Sequence, residues 1–549
     1  MHKGNNFHKK GGFKDFHKGN SDREGRSETI SFAPKDITIG EITSQKKPTR
    51  DTLKLFAIVN SVNQTTGPTL FSISDGTGTL VVKAFEGAGV RAYPDIDEDD
   101  CIELLLTVKE YQNMLEGDAL RIIKLDEEKA SKVKKDIEKM QRDLAQAKDI
   151  PFLVKNQTLE KLKDSFIKAA TEIRMAIITN RPIVVRHHND ADGYSSGYSL
   201  ERAILPLLDK QHGGSTKALR THYQRAPSNT PFYEIEDSIK DAAHSLTGHA
   251  SFSEKIPLVL IVDTGSSIES LLAIQQGKVH GIDFIVVDHH FFEEDFISKE
   301  VLVHINPFLV GEDGGKYSAG MLCSELARFI NPDAAVDHIP ALAAFADMID
   351  NPVVVDQYLK IAEKMGYTKQ LLHDVSSVID FVSTKLRFME AREYVEVLFG
   401  KPIQQQKKLI EVLAPHIKVL EAKAISIAKS VVKREKIGKT TVQFLNIEES
   451  FSRGIYPKPG KINGLLHDYA KRELSPNVIS LGVLTDAVTF RASEDSKFSV
   501  HEFIKFSQKS LPEAFIEGGG HHVAGAIRFV PSQRENVLNV FREFIAKIK

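Results

Sequence analysis

Three short stretches of this sequence place aspartate and histidine directly behind apolar runs. VVRHHNDADG supplies His188, Asp190 and Asp192; PLVLIVDTGSS supplies Asp263; FIVVDHH supplies Asp288, His289 and His290. A fourth acid, Asp347, sits in ALAAFADMID and reads as lying inside an otherwise apolar helix. Gathered carboxylates repel one another, and burying them is costly unless they are paired or coordinate a metal. A lone strand-terminal aspartate is ordinarily a turn or cap residue. Capping does not require imidazole, so acids and histidines together at strand ends point to a divalent cation instead. Carboxylates with a few histidines suit Mn²⁺ or a similar ion, and the lack of nearby cysteine argues against zinc. So many candidate ligands exceed what one water-retaining ion needs, so two ions sharing a bridging carboxylate is the natural count.

These residues are distant in sequence and must be brought together by the fold. PIVV, PLVLIVD and FIVVDHH are continuous Val- and Ile-rich runs, as expected of parallel strands covered on both faces. Helical patterns follow each run, which predicts a doubly wound α/β domain whose ligands gather beyond the carboxyl ends of the strands. Near the end of the chain, EGGGHHVAGA raises a second question. Gly518, Gly519 and Gly520 would let the backbone approach an anion closely, or would simply form a glycine turn between helix and strand. His521 and His522 can hydrogen-bond to phosphate or sugar.

The 549 residues exceed one ordinary core and divide by composition. Residues 1–35 are rich in Gly, Lys, His, Asn and Ser and read as a disordered tail. Residues 36–125 hold five short strands, with a D-G-T-G hairpin turn at Asp75–Gly78, and suggest a small barrel. Its pattern resembles an OB-fold, a module that often binds single strands through aromatic and basic residues. Phe56, Phe71, Phe85, Lys54 and Lys83 are of the right types, but a barrel core also needs aromatics, so no residue is assigned. A charged linking helix is expected within 126–156, the α/β domain over 157–400, a helical connector over 401–439, and a smaller α/β domain over 440–549. Net charge is −2, so any nucleic-acid surface must be a local patch. Two cysteines allow no disulfide framework and fit a reducing, cytoplasmic setting. No apolar run approaches the ~20 residues of a membrane helix.

Three motifs taken together resemble those of the DHH phosphoesterase superfamily with its DHH-associated C-terminal domain. They are H-x-D-A-D-G at His188–Gly193, D-H-H at Asp288–His290 and G-G-G-H-H-V-A-G at Gly518–Gly525. The similarity is greatest to archaeal RecJ-like nucleases. This resemblance implies metal ligands at His188, Asp190, Asp192, Asp263, His289 and Asp347, with Asp263 bridging two Mn²⁺ or Mg²⁺ ions. It implies that Asp288 orients its neighbouring imidazole and that His290 faces the substrate phosphate. Arg491 and Ser493, in VTFRAS, look like a further phosphate-contacting element beside Gly518–His522. H-I-N-P (His304–Pro307) and S-A-G (Ser318–Gly320) match segments that line the site. One departure is Arg186, which stands where many relatives have a histidine. The implied activity is metal-dependent exonucleolytic hydrolysis of single-stranded DNA or RNA, from the 5′ end, to nucleoside 5′-phosphates. The alternatives are a phosphodiesterase for short oligonucleotides or cyclic dinucleotides, and a scaffold in a replication complex. Partnership with replication or repair proteins is implied by the resemblance as well.

Overall fold

The computed structural model describes residues 34–45, 47–111, 114–212, 216–228, 230–252, 255–386, 392–452 and 454–548. The expected disordered tail lies outside these residues as far as 33. Lys35 and Asp36 already pair in parallel with Leu53 and Lys54, so the first sheet begins just before the expected boundary.

Strands Thr49–Gln64, Thr69–Ser74, Thr79–Ala84, Cys101–Tyr111 and Met114–Lys124 close into an OB-like barrel. Their order is first, second, third, fifth, fourth and back to the first, with the third and fifth parallel. Leu53, Leu55, Ala57 and Val59 alternate into the core, as a strand with one covered face requires. The D-G-T-G turn joins the second and third strands, with Asp75 accepting from Thr77 N at 2.9 Å. Phe71 is wholly buried here, whereas Phe56 and Phe85 are 40% and 69% exposed, so only the latter two can meet a ligand. Helix Glu127–Ala145 is capped by Asp126, which accepts from Lys129 N. Its Ile137 packs under the turn glycine Gly76. Asn180 Nδ2 donates to Thr79 Oγ1 at 2.8 Å and ties the barrel to the central α/β domain.

The central sheet is all parallel, in the order Val303–Ile305, Asp283–Val287, Leu258–Val262, Ile183–His188, Tyr223–Ser228. Alternate residues feed two cores. Val185, Leu260 and Ile285 pack on one face, and Val184, Val259, Ile261 and Val286 on the other. Coverage on both faces explains why the three inner strands read as unbroken apolar runs. The two edge strands escaped the sequence reading because one is polar with an internal proline (Pro227) and the other has three residues. Edge positions tolerate both features. Strand order reverses between Ile183–His188 and Leu258–Val262, a switch point at which a crevice opens beyond the strand ends.

Helix Ile403–Val431 leads to the last domain. Strand Lys433–Ile437, placed in the connector by the sequence reading, instead pairs with Thr440–Asn446 and begins a six-stranded mixed sheet. Phe490, Phe498, Phe503 and Phe541 fill the core behind it. Glu517–His521 is an edge strand of this sheet, paired with Ala524–Arg528, and not a turn between helix and strand. Among the described residues no helix is long and apolar enough to cross a membrane.

Candidate metal and phosphate site

Asp190 caps helix Ala191–Gln211, accepting from Gly193 N at 2.9 Å, and its other oxygen meets His188 Nδ1 at 2.6 Å. Gly193 is required by closeness: a Cβ there would lie 2.0 Å from the His188 carbonyl oxygen. Asp192, in the first turn of that helix, is buried and held by Ala319 N (2.9 Å) and Gly320 N (3.0 Å) at the start of helix Ala319–Ile330. The S-A-G segment therefore grips a carboxylate with free helix N–H groups.

Asp263 follows its strand with a left-handed φ of 59°, while its N–H bonds Val287 O at 3.0 Å. Such a backbone is uncommon outside glycine and is tolerated best by Asp and Asn. Asp347 does not lie inside a helix, as expected from sequence; it is the C-cap of Ile339–Ala346. An acid there opposes the helix dipole. Its carboxylate instead approaches His289, Oδ2 to Nε2 3.4 Å.

The six residues fall into two groups that meet at Asp263. Oδ2 of Asp263 lies 3.8 Å from His188 Nδ1, and Oδ1 lies 3.4 Å from His289 Nε2. Donor atoms of His188, Asp190 and Asp263 lie within 4.8 Å of one another, as do those of Asp192, His289 and Asp347.

Electrostatics expose the conflict between these groups. Burial, then Asp263 and Asp347, push the Asp192 carboxyl well above its ordinary value. Burial, Asp190 and Asp347 do the same to Asp263. Burial alone would raise Asp190 too, but the adjoining His188 draws it below its ordinary value. Burial would likewise depress His289, yet Asp347 and Asp192 raise it. Oδ2 of Asp263 and Oδ2 of Asp347 are buried without a hydrogen-bond partner. Like-charged, partnerless oxygens facing imidazoles are what a divalent cation would satisfy, so the residues fit such an ion.

Asp288 orients an imidazole, and the ring is that of His290. Its Oδ1 accepts from His289 N, His290 N and His290 Nδ1, the last at 2.8 Å, and Oδ2 accepts from Ser266 N. The H-I-N-P segment braces this loop. His304 Nε2 meets Ser266 Oγ at 2.9 Å, and Asn306 Nδ2 donates to both Ser266 Oγ and the His290 carbonyl.

The expected phosphate-binding residues divide. His521 reaches across from the C-terminal domain and stacks on His290, ring centroids 4.9 Å apart, with its edge toward His289. Burial and these two rings hold its imidazole well below the ordinary value. Arg491, on strand Ala487–Ala492, pairs in register with Ala524 and is close enough to Asp347 to feel its charge. Ser493 is not available: its hydroxyl is engaged by Val478 N (2.9 Å) and Val478 O (3.2 Å). His522 is exposed, and its backbone carbonyl accepts from Val500 N. Of the glycines, Gly518 is packed against the Ala526 carbonyl, Gly520 has a φ of 122°, and only Gly519 borders open space.

Arg186 leaves the site altogether. Its guanidinium forks onto Asp241, Nε to Oδ2 3.0 Å and Nη2 to Oδ1 2.5 Å, with Asp237 3.3 Å away. Arg186→Met would strand two buried carboxylates and cost about 3–5 kcal/mol of stability. Urea unfolding checks this, and wild-type stability would refute it.

Two residues went unnoticed in sequence. Lys458 donates to the Asn189 carbonyl, and Asp380 Oδ1 accepts from Ala191 N at 2.9 Å. Asp380 carries a readable signal, an acid in the apolar helix Lys369–Ser383, much like the one that marked Asp347. Nothing local distinguishes Lys458.

Residues 182–348 match the DHH family, N-terminal domain. The chain is similar to uncharacterized protein MJ1198 of Methanocaldococcus jannaschii, 34% identical over 521 residues, covering 89% of this chain and 68% of that one. It is also similar to a solved structure described as the DHH domain of a member of the s1p family of ribosomal proteins. That match has 33% identity and a TM-score of 0.73 over 77% of this chain and 100% of that one. A structure of exonuclease RecJ bound to manganese matches at 16% identity and a TM-score of 0.48, over 73% of this chain and 97% of that one.

Proposed function

The chain belongs to the DHH family of phosphoesterases, and from that premise we propose that it is a metal-dependent exonuclease of single-stranded DNA or RNA. In this reading it works from the 5′ end and releases nucleoside 5′-phosphates. The observation that carries the reading is Asp263, whose two oxygens face two separate ligand groups. His188, Asp190 and Asp263 would hold one Mn²⁺ or Mg²⁺, and Asp192, His289 and Asp347, sharing Asp263, the other. When bound, such ions neutralise phosphoryl oxygens and make water a nucleophile near neutral pH.

The chain's own groups supply positioning. With Nδ1 donating to Asp288, a protonated His290 would donate from Nε2 to a phosphate oxygen. Arg491 brings a planar fork that matches phosphate geometry. His521 closes the site from the facing domain as a neutral imidazole. The barrel suits a polymer, since Phe56 and Phe85 are exposed for stacking and a strand-binding module is superfluous for a small diffusible substrate.

A phosphodiesterase for short oligonucleotides or cyclic dinucleotides is the second reading. It is favoured by the barrel lysines: Lys54, Lys83 and Lys109 are each paired with an acid, Glu103, Glu116 and Asp118. Paired lysines leave little free charge for a long phosphate backbone. End-labelled single-stranded DNA and RNA, long and short, and unlabelled cyclic dinucleotides, digested with Mn²⁺ and resolved over time, separate the two. Stepwise release of mononucleotides from long strands supports the exonuclease. Cleavage of short or cyclic substrates alone supports the second reading, and no phosphodiester hydrolysis at all sinks both.

The facing histidines differ in expected effect. His521→Ala should lower kcat/KM by about 1.5–3 kcal/mol, the value of a charge-assisted hydrogen bond. His522→Ala should be nearly neutral because its side chain is exposed. The check is a titration with Mn²⁺. Full rescue of His521→Ala by excess metal would make His521 a ligand, since its ring nitrogen lies within 4.8 Å of donors on His289 and His290.

A further inference from the structure

The turn Asn189–Asp190 and the start of helix Ala191–Gln211 carry two of the proposed ligand residues, and groups from distant elements hold the peptides on either side of Asp190. On one side of Asp190, the Asn189 carbonyl accepts from the Lys458 ammonium and, at 3.5 Å, from Ser383 Oγ. On the other side, Ala191 N donates to Asp380 Oδ1, and Asp380 Oδ2 lies 3.7 Å from Lys461 Nζ. Lys458 and Lys461 are three residues apart, at the N-terminal end of helix Pro459–Glu473. Lys461 is itself fixed by Glu421 Oε1 and Tyr456 Oη, both at 2.9 Å. Tyr456 is buried in the catalytic domain's own core, edge-on to Phe381 at 5.1 Å.

The C-terminal domain is therefore anchored by Tyr456 and, two and five residues on, reaches both peptides flanking a ligand residue. We propose that Lys458 is a positioning residue of the metal site: by holding the Asn189 carbonyl it makes docking of the C-terminal domain a condition for Asp190 to take its ligand position. The inference rests on the two-metal reading above. A lysine needed only for substrate would have no reason to spend a hydrogen bond on a backbone carbonyl between two ligand residues. Groups that orient metal ligands from outside the coordination set typically matter 10–100-fold for affinity, which sets the expected scale (about 10–100-fold).

The test is Mn²⁺ binding to the full chain without substrate, measured by electron paramagnetic resonance of free Mn²⁺ and by calorimetry. Lys458→Met should weaken Mn²⁺ binding about 10–100-fold. Lys458→Arg, which can still donate, should recover most of it. Lys461→Met should weaken binding in the same direction through Asp380, by a smaller factor. Thermal unfolding of Lys458→Met should stay close to wild type, because the side chain is only partly buried. Wild-type Mn²⁺ affinity in Lys458→Met overturns the inference, and a raised KM alone would make Lys458 a substrate contact. Should that variant not fold, Lys461→Met decides, and unchanged Mn²⁺ affinity there overturns the inference equally. A wild-type protein that binds no Mn²⁺ removes the two-metal reading itself, and this inference with it.

Discussion

Asp263→Asn is expected to cripple phosphodiester hydrolysis, with a fall in kcat/KM of about a hundred- to a thousandfold, on the scale of lost electrostatic stabilisation in a buried site. Asparagine is the better probe than alanine. It keeps the side chain's size and tolerates the left-handed backbone (φ 59°), whereas alanine would add strain there. The change removes one negative charge from a cluster in which Asp190 and Asp347 already oppose Asp263. It should therefore make the metal-free protein more stable while crippling its activity. That opposition of signs separates a ligand from a structural aspartate, whose loss would cost stability. Steady-state kinetics, Mn²⁺ titration and thermal unfolding in chelator together check it. Near-normal turnover, or undiminished Mn²⁺ binding, would mean that Asp263 is not shared between two ions.

Removal of metal is expected to reverse the pH dependence of stability on the alkaline side. Asp192 and Asp263 have folded-state values raised well above 3.8, chiefly by burial and then by neighbouring carboxylates. Between the unfolded and folded values the native state binds more protons than the unfolded chain, so stability falls as pH rises. Their contribution is fully present below the unfolded value and is lost as pH climbs through the folded one. Asp190 and Asp288 run the other way. They are depressed, so the stability they contribute is present above 3.8 and lost as pH falls through their folded values. In chelator, the melting temperature should therefore be lower at alkaline than at mildly acidic pH, the direction set by the raised carboxyls of Asp192 and Asp263. Mn²⁺ should bind the deprotonated ligands, and at a hundred times its Kd should add about 2.7 kcal/mol per site. The melting temperature should then rise by several degrees and stop declining with pH. Melting curves that overlay with and without metal at both pH values would rule out a buried cation site in this cluster.

Much of this site was legible because its signals are local. An apolar strand followed by Asp or His announces its own chemistry. The parallel-sheet reading then requires such strand ends to meet, since side chains beyond the carboxyl ends share one crevice. The three inner strands announced themselves because both faces are covered. Tyr223–Ser228 and Val303–Ile305 did not, because edge strands need no continuous apolar run. Asp347 was found by its oddity, an acid among apolar residues, but its position at a helix end was misread. Composition cannot tell a helix interior from a C-cap.

What the sequence by itself determined is therefore the kind of chemistry: which residues are ligand-like, that they follow strands, and that several domains share the chain. The tertiary structure decided everything that depends on orientation between distant residues. It turned the Asp263 oxygens toward two groups, gave Asp288 to His290, used the Ser493 hydroxyl on a neighbouring strand and sent His522 to solvent. It also drew Arg186 out of the site onto Asp241 and brought Lys458 to the Asn189 carbonyl, a pairing across 269 residues of chain. Residue type and spacing set what a side chain can do. Which partner it meets depends on packing between elements, and no short stretch of sequence carries that information.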